Sequence, residues 1–383
     1  MKKLLFDLLY AQPLGGVKFH GGGEYIKSVF QAVIKVKNPA YSLEVCFNKN
    51  AFLDDWVLEI IQEKNIPVHQ VVNANDVINV IEKMEDKKNL RFFTGMIYSY
   101  SGVSFPKDIK TYGVCHGLRG LEKPYDREAV RFIRNNADIK DCIRNTILWK
   151  RTHKHLLLYF TEILEKFDEI ITDSEHSKYS IMVNFPKIAK EKNIRVFYAP
   201  SKYVDATINS ENTAPYIMMV SANRWLKNCY RGVLAIDQLY QSGYLEGIKT
   251  RVYGNLPSKM RNKLKCKNNF IFYDYVESEE LEAAYKNCSV FFYPTLNEGF
   301  GLPPLEAMKY GKTCVISAIC SLPEVYGDAV YYCNPYDIME MKNRILHAVE
   351  HPIEVDYISR KVKSINYRQI KDTETVCSLL LEN

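Results

Sequence analysis

Residues 289–311 read SVFFYPTLNEGFGLPPLEAMKYG. The opening run is apolar and rich in aromatic residues, which suits a strand buried on both faces. LNEGFGL then reads as a loop. Pro303 and Pro304 suit the first turn of a helix, since proline is fixed near a helical φ. Gly311 can end that helix. A buried strand, a loop and a helix in this order form one arm of a βαβ unit, so the sheet is expected to be parallel.

Reading outwards, the same alternation fills the chain. KLLFDLL, SLEVCFN, RFFTG, KTYGVCH, DEIITDS and IRVFYA are the strands expected in the first half. YIMMVSA, TRVYG, NFIFYDYV, SVFFYPT, TCVISA and VYYC are those expected in the second. At 383 residues the chain exceeds what one core usually organises. The expectation is therefore an α/β protein of two doubly wound, Rossmann-like domains. The first covers 1–200, a linker at 201–215 (SKYVDATINSENTAP) follows, and the second covers 216–366.

Composition narrows the function. The apolar share is 47% and charged residues make up 25%, ordinary values for a globular chain. The start, MKKLLFDLLYAQPLGG, places Asp7 inside its apolar run and shows no small-residue cleavage site, so it reads as a first buried strand. No window approaches the roughly 20 apolar residues of a membrane-spanning helix. Ten cysteines without a C-x-x-C pair read as reduced core residues, and the expectation is a cytoplasmic protein.

Net charge is +6, and it is concentrated. Between Arg119 and Lys154 there are ten Lys or Arg against five Asp or Glu, an excess of five. Arg127, Arg131 and Arg134 recur at i, i+4 and i+7, which would align them on one helix face. That pattern fits first a solvated face, and second a surface for an anionic membrane at 119–154 or for a pyrophosphate. Nucleic acid is not expected, because no stacking aromatics interleave the patch.

In open parallel sheets, ligands sit beyond the carboxyl ends of the strands. The 294–302 loop is such a place. Gly299 and Gly301 let the main chain come close to a ligand. The first-turn N–H groups of the following helix are expected to offer positive potential to a phosphate. Glu298 and Glu306 can accept hydrogen bonds from hydroxyls, and carboxylates beside a phosphate site suggest a sugar. Each also has a plainer reading: Glu306 as an N3 glutamate satisfying its own helix, Glu298 as an exposed loop residue.

NEGFGLPPLEAMKYGKTCVIS, followed by SLPEVYGDAVYYCNPYD, resembles the E-x7-E region of family 4 glycosyltransferases, retaining enzymes of the GT-B fold. GGVKFHGGGEYIKSVF resembles that family's glycine-rich loop, YGVCHGLRG its histidine loop, ITDSEHSKYSI its last N-domain strand and helix, and SANRWLKN the basic loop opening its C-terminal domain. The resemblance implies two domains facing across a cleft, with 367–383 packing back on the first as a helix. It implies that Glu306 binds the nucleotide ribose. Glu298 would hold the donor sugar, with the main chain of Gly299, Phe300, Gly301 and Leu302. Arg224 and Lys227 would clamp the diphosphate, Gly22 and Gly23 would approach it, and His116 would contact the transferred sugar. Tyr275 and Val276 would lie near the base through their main chain. Taken without the resemblance, Arg224 and Lys227 also fit a salt-bridging loop and His116 a hydrogen-bonded histidine after a strand.

A guanidinium and an ammonium can neutralise a departing diphosphate, and neither an Asp-x-Asp motif at a strand end nor a His/Cys cluster is present. Metal-independent chemistry is therefore expected. The whole reading is a hexosyltransferase using a UDP- or GDP-sugar and a saccharide or lipid-linked acceptor in bacterial surface polysaccharide or glycolipid synthesis, working at the inner face of the membrane. A nucleotide-sugar epimerase and a catalytically silent binding protein of the same fold are the alternatives. A dinucleotide oxidoreductase is set aside: GGVKFHGGGEY is not G-x-G-x-x-G, and SLEVCFNKN does not end in an acid.

Overall fold

A computed structural model describes residues 2–14, 20–36, 38, 40–123, 125–201 and 214–381. Most of the expected 201–215 linker and part of the glycine-rich loop, residues 15–19, lie outside the described residues.

Two parallel sheets carry the chain. The first contains β1 (Lys2–Asp7), β2 (Tyr41–Phe47), β3 (Val68–Gln70), β4 (Leu90–Thr94), β5 (Lys110–Cys115), β6 (Glu169–Thr172) and β7 (Asn193–Val196). Their order is β3-β2-β1-β4-β5-β6-β7. The second contains β8 (Tyr216–Met219), β9 (Lys249–Tyr253), β10 (Phe270–Tyr273), β11 (Val290–Tyr293), β12 (Thr313–Ser317) and β13 (Tyr331–Cys333), in the order β10-β9-β8-β11-β12-β13. Each apolar run named above forms a strand. β3 was not anticipated, since its three residues, VHQ, at the sheet edge leave no apolar run to read. Both orders reverse direction once, between β1 and β4 and between β8 and β11. Those reversals open crevices at the carboxyl edge, and the loops that follow these strands decide what can bind there.

The chain divides into two compact units: Met1–Leu118 with Lys154–Lys202 and Asn366–Asn383, and Arg119–His153 with Tyr203–Ile365. This corrects the expected 1–200 boundary, because 119–153 belongs with the second sheet. Phe132 lies in the same apolar cluster as Ile217, Met219 and Phe292. Asp126 forms a buried ion pair with Arg231 at 3.0 Å, and Lys123 lies over the Tyr336 ring at 4.9 Å. In the last helix, Val355–Leu381, the residues from Asn366 onward join the first unit. Gln369 donates to the Ala199 carbonyl at 2.6 Å, Asp372 accepts from the Tyr198 N–H at 2.9 Å, and Arg91 donates to the Leu379 and Leu380 carbonyls at 3.0 and 2.9 Å.

The arginine periodicity does not make one α-helical face. Arg127–Phe132 is a 3-10 turn, and a separate helix runs over Asn136–Asn145. Asn135 caps that helix, its side-chain oxygen accepting from Ala137 N at 2.9 Å and Asp138 N at 3.0 Å. Arg131 instead pairs with Glu128 and lies 5.0 Å over the Tyr230 ring, while Arg134 faces Asp138 at 3.7 Å. Among the described residues, no helix is long and apolar enough to cross a membrane.

Candidate functional site

The second sheet's reversal point sits between β8 and β11, and the loops after these two strands meet there. After β8 comes a 3-10 turn, Trp225–Lys227, and then Asn228 at φ 56°. The Asn228 amide donates to the Pro294 carbonyl at 2.9 Å and to the Pro335 carbonyl at 2.7 Å, binding the β8 loop to the β11 loop. Lys227 and Glu298 therefore arrive in one buried cluster. The Lys227 ammonium donates to Glu298 Oε1 and, at 2.6 Å, to the Tyr293 hydroxyl. Glu298 Oε1 also accepts from Tyr293 at 2.6 Å and from Thr295 Oγ1 at 2.9 Å. Burial opposes the charge on Glu298, yet the adjacent ammonium and its hydrogen bonds hold the carboxyl below its ordinary range. Burial likewise pulls Lys227 down, against the pull of Glu298.

Glu298 is thus not an exposed loop residue. Its loop is fastened from behind by the Leu322–Tyr326 helix. Ser321 Oγ, at the N-cap of that helix, donates to the carbonyls of Phe300 at 3.1 Å and Glu298 at 3.3 Å, and the Tyr326 hydroxyl donates to the Gly301 carbonyl. Gly301 holds φ 89°, and a Cβ there would lie 2.4 Å from Leu322 Cδ2, so only glycine fits without rearrangement. Phe300 is buried, whereas Gly299 and Leu302 are half-buried.

The Leu302–Met308 helix offers fewer donors than its position suggested. Pro303 and Pro304 have no N–H, and the Leu305 N–H donates to Tyr326 at 3.1 Å. Positive charge for a phosphate here must come mainly from side chains. Glu306 is the fifth residue of that helix and caps nothing at N3. Its half-exposed carboxylate accepts from fully buried Lys309 at 3.1 and 3.3 Å. The two expected diphosphate cations differ in setting: Lys227 is buried against Glu298, while Arg224 is exposed and lines a neighbouring cavity. Tyr275 and Val276 follow β10, the edge strand, with Tyr275 exposed and its hydroxyl 3.4 Å from Glu277.

In the first unit, Gly22 and Gly23 open the Gly21–Val33 helix after β1. The Gly23 N–H donates to His20 Nδ1 at 3.1 Å, so a ligand would compete for it. A Cβ on Gly22 would fall 2.3 Å from Met96 Cε and 3.5 Å from His116 Nε2, which accounts for a glycine at this close approach. His116 follows β5. Its Nδ1 lies 2.6 Å from Asp173 Oδ2 and its Nε2 2.8 Å from the Gly95 carbonyl. Both neighbours can accept an N–H of the ring, so the imidazole is held between them. Contact with a sugar through Nε2 would exchange the Gly95 carbonyl for a hydroxyl.

Tyr293, Thr295, Ser321, Tyr326 and Asn228 were missed. All five sit in the quoted motifs, but spacing along the chain does not reveal which loop a hydroxyl or amide will fasten.

Two Rossmann-like units with parallel sheets of these orders define the GT-B fold class. Sucrose-phosphate synthase from Thermosynechococcus elongatus superposes over 100% of both chains with a TM-score of 0.68 at 13% identity. Residues 204–365 match the family model of glycosyl transferases group 1. The serotype-specific mannosyltransferase WbdA of Escherichia coli is 44% identical over 78 residues, 20% of this chain and 9% of that protein. The O-antigen chain mannosyltransferase RfbU of Salmonella typhimurium is 28% identical over 108 residues, 28% of this chain and 31% of that protein. The matched stretches thus span less than a third of each of these two relatives.

Proposed function

We propose that the chain transfers a hexose, with retention at the anomeric carbon, from a UDP- or GDP-sugar to a saccharide or lipid-linked acceptor in bacterial surface polysaccharide or glycolipid synthesis. The observation that carries this reading is the buried Lys227–Glu298 cluster at the β8/β11 reversal, inside the stretch that matches the glycosyltransferase model. The names of the mannosyltransferase relatives make a mannosyl donor the first to test.

In this reading the diphosphate takes up charge from Lys227 and Arg224, and Glu298 exchanges part of its ion pair for donor hydroxyls. Glu306, already half-exposed, takes the ribose. Gly299 to Leu302, with Tyr275 and Val276, contribute main chain, Gly22 and Gly23 allow close approach to the diphosphate, and His116 is reserved for the sugar. The bond from C1 to the leaving phosphate oxygen breaks as the acceptor oxygen bonds C1 on the same face, and the acceptor proton passes to that phosphate oxygen. Growing negative charge on the diphosphate is what the cations stabilise. The reading needs no metal ion.

Incubation with GDP-mannose and UDP-hexoses in chelator, with the product anomer read by NMR, tests it. A product of inverted configuration, or turnover only after a divalent metal is added, contradicts it.

Membrane contact through 119–154 belongs to the same proposal. Ile147 is 79% and Trp149 50% exposed, with Ile143 and Leu148 also exposed and Arg144, Lys150, Arg151 and Lys154 around them. An apolar ridge flanked by cations suits anionic headgroups. Sedimentation with phosphatidylglycerol vesicles should fall when Ile147 and Trp149 are both replaced by Ser, and equal binding by that variant removes the membrane contact.

A further inference from the structure

The loop after β8 also lines a cavity of about 240 Å³, built wholly within the second unit. Its apolar surface comes from Phe132, Ile133, Trp225 and Leu226, and its polar groups include Asp138, Asp141, Asn145, Asn223, Arg134 and Arg224. The segment 119–153, which the chain inserts between β5 and β6, supplies one wall, and the basic loop after β8 supplies the other.

Charge decides what such a cavity can hold. The surrounding segment is strongly basic, but here two guanidinium groups face two carboxylates, so the lining balances to zero. Arg134 already faces Asp138 at 3.7 Å, and Asp141 accepts from Arg144 at 3.3 Å. A phosphate would meet two carboxylates, and a purely apolar ligand would strip water from six polar side chains. A neutral polyhydroxylated ligand meets neither cost. Planar carboxylate and amide groups can engage neighbouring hydroxyls, and the Trp225 indole presents an apolar face for sugar C–H groups. Arg224, the candidate phosphate cation, lines this cavity, and Lys227, three residues on, is buried against Glu298. A ligand here would lie beside the proposed donor loop.

We infer that this cavity is an acceptor subsite for a neutral saccharide, lined on one side by the 119–153 insertion. The inference rests on the glycosyltransferase reading, and its test separates the two. The full chain carries three tryptophans, at 56, 149 and 225. In a Trp56→Phe, Trp149→Phe chain, Trp225 alone reports on the cavity. Mannose, galactose, N-acetylglucosamine, α-linked mannotriose and inorganic pyrophosphate are titrated in turn, and GDP-mannose and UDP-glucose binding is followed separately by calorimetry. Should the tryptophan replacements unfold the chain, protection of Cys142, which also lines the cavity, from iodoacetamide gives the same readout in the unaltered protein.

The expected result is a saturable response to at least one neutral saccharide, weakened about tenfold or more by Asp141→Ala with Asn145→Ala, while donor affinity stays within about twofold. A response to pyrophosphate alone, no response to any saccharide of the set, or a response that the double variant leaves unchanged overturns the subsite. Saccharide binding without any donor binding retains the subsite and overturns the transferase reading instead.

Discussion

Glu298 and Lys227 are each buried, and each makes the other tolerable. Removing one strands the other's charge in a low-dielectric site, so Lys227→Met is expected to cost about 3–5 kcal/mol in urea unfolding of the second unit. Adding Glu298→Gln should return part of that loss, giving a double variant well short of the sum. Fully additive losses would mean that the pair is not coupled. Because the Glu298 carboxyl is held low in the fold, its contribution is present above its unfolded value and is lost as pH falls through the folded one. Glu298→Gln should therefore flatten the acid limb of stability while cutting transfer by about a hundredfold. Asp7 behaves in the opposite sense. Fully buried, and accepting from Thr94 at 2.7 Å, Tyr100 at 2.8 Å and the Leu9 N–H at 2.9 Å, it is pushed up by burial to about 6. Its contribution is complete below the unfolded value of 3.8 and is lost as pH rises through about 6, a fall of roughly 3 kcal/mol. Asp7→Asn should remove that slope from the first unit, and an unchanged slope would refute the assignment. The sequence singled out Glu298, Lys227 and Glu306 as acid and cation candidates. It did not show that Glu298 and Lys227 would bind each other, because that depends on Asn228 joining two loops 66 residues apart.

At the level of elements, the β11 loop is a strap held by the Leu322–Tyr326 helix. Tyr326→Phe leaves the Leu305 N–H and the Gly301 carbonyl without their hydroxyl, which should cost about 1–3 kcal/mol and raise the donor KM more than it lowers kcat. An unchanged KM would detach that helix from the donor site. The strands were legible because strands buried on both faces read as unbroken apolar runs, and β3 escaped by being short and polar. The 127–145 segment was not legible. Its arginines keep helical spacing, but Asn135 offers its side chain to the next helix's N–H groups and breaks the continuity. The weak donor supply of the Leu302–Met308 helix could have been read from its two prolines alone, since the residue type that pre-forms the turn also removes its N–H groups.

For the whole molecule, chain order and unit membership part company twice: 119–153 leaves the first half for the second unit, and the residues from Asn366 return to the first. Periodicity shows neither, because both depend on distant partners such as Asp126 with Arg231 and Gln369 with the Ala199 carbonyl. Ending the chain after Ile365 would uncover the surface that buries Val376, Cys377, Leu380 and Leu381, and should lower the first unit's melting temperature by at least about 5 °C. The central claim is that the 297–302 loop, with Lys227 and Glu306, binds the donor of a metal-independent transfer. Calorimetric titration of GDP-mannose and UDP-hexoses in chelator, into the native chain and into Glu306→Gln, tests it most directly. The account predicts saturable binding of one of these donors by the native chain and affinity weaker by about tenfold in the variant. Equal affinity in the two chains, or no binding until a divalent metal is supplied, would contradict it.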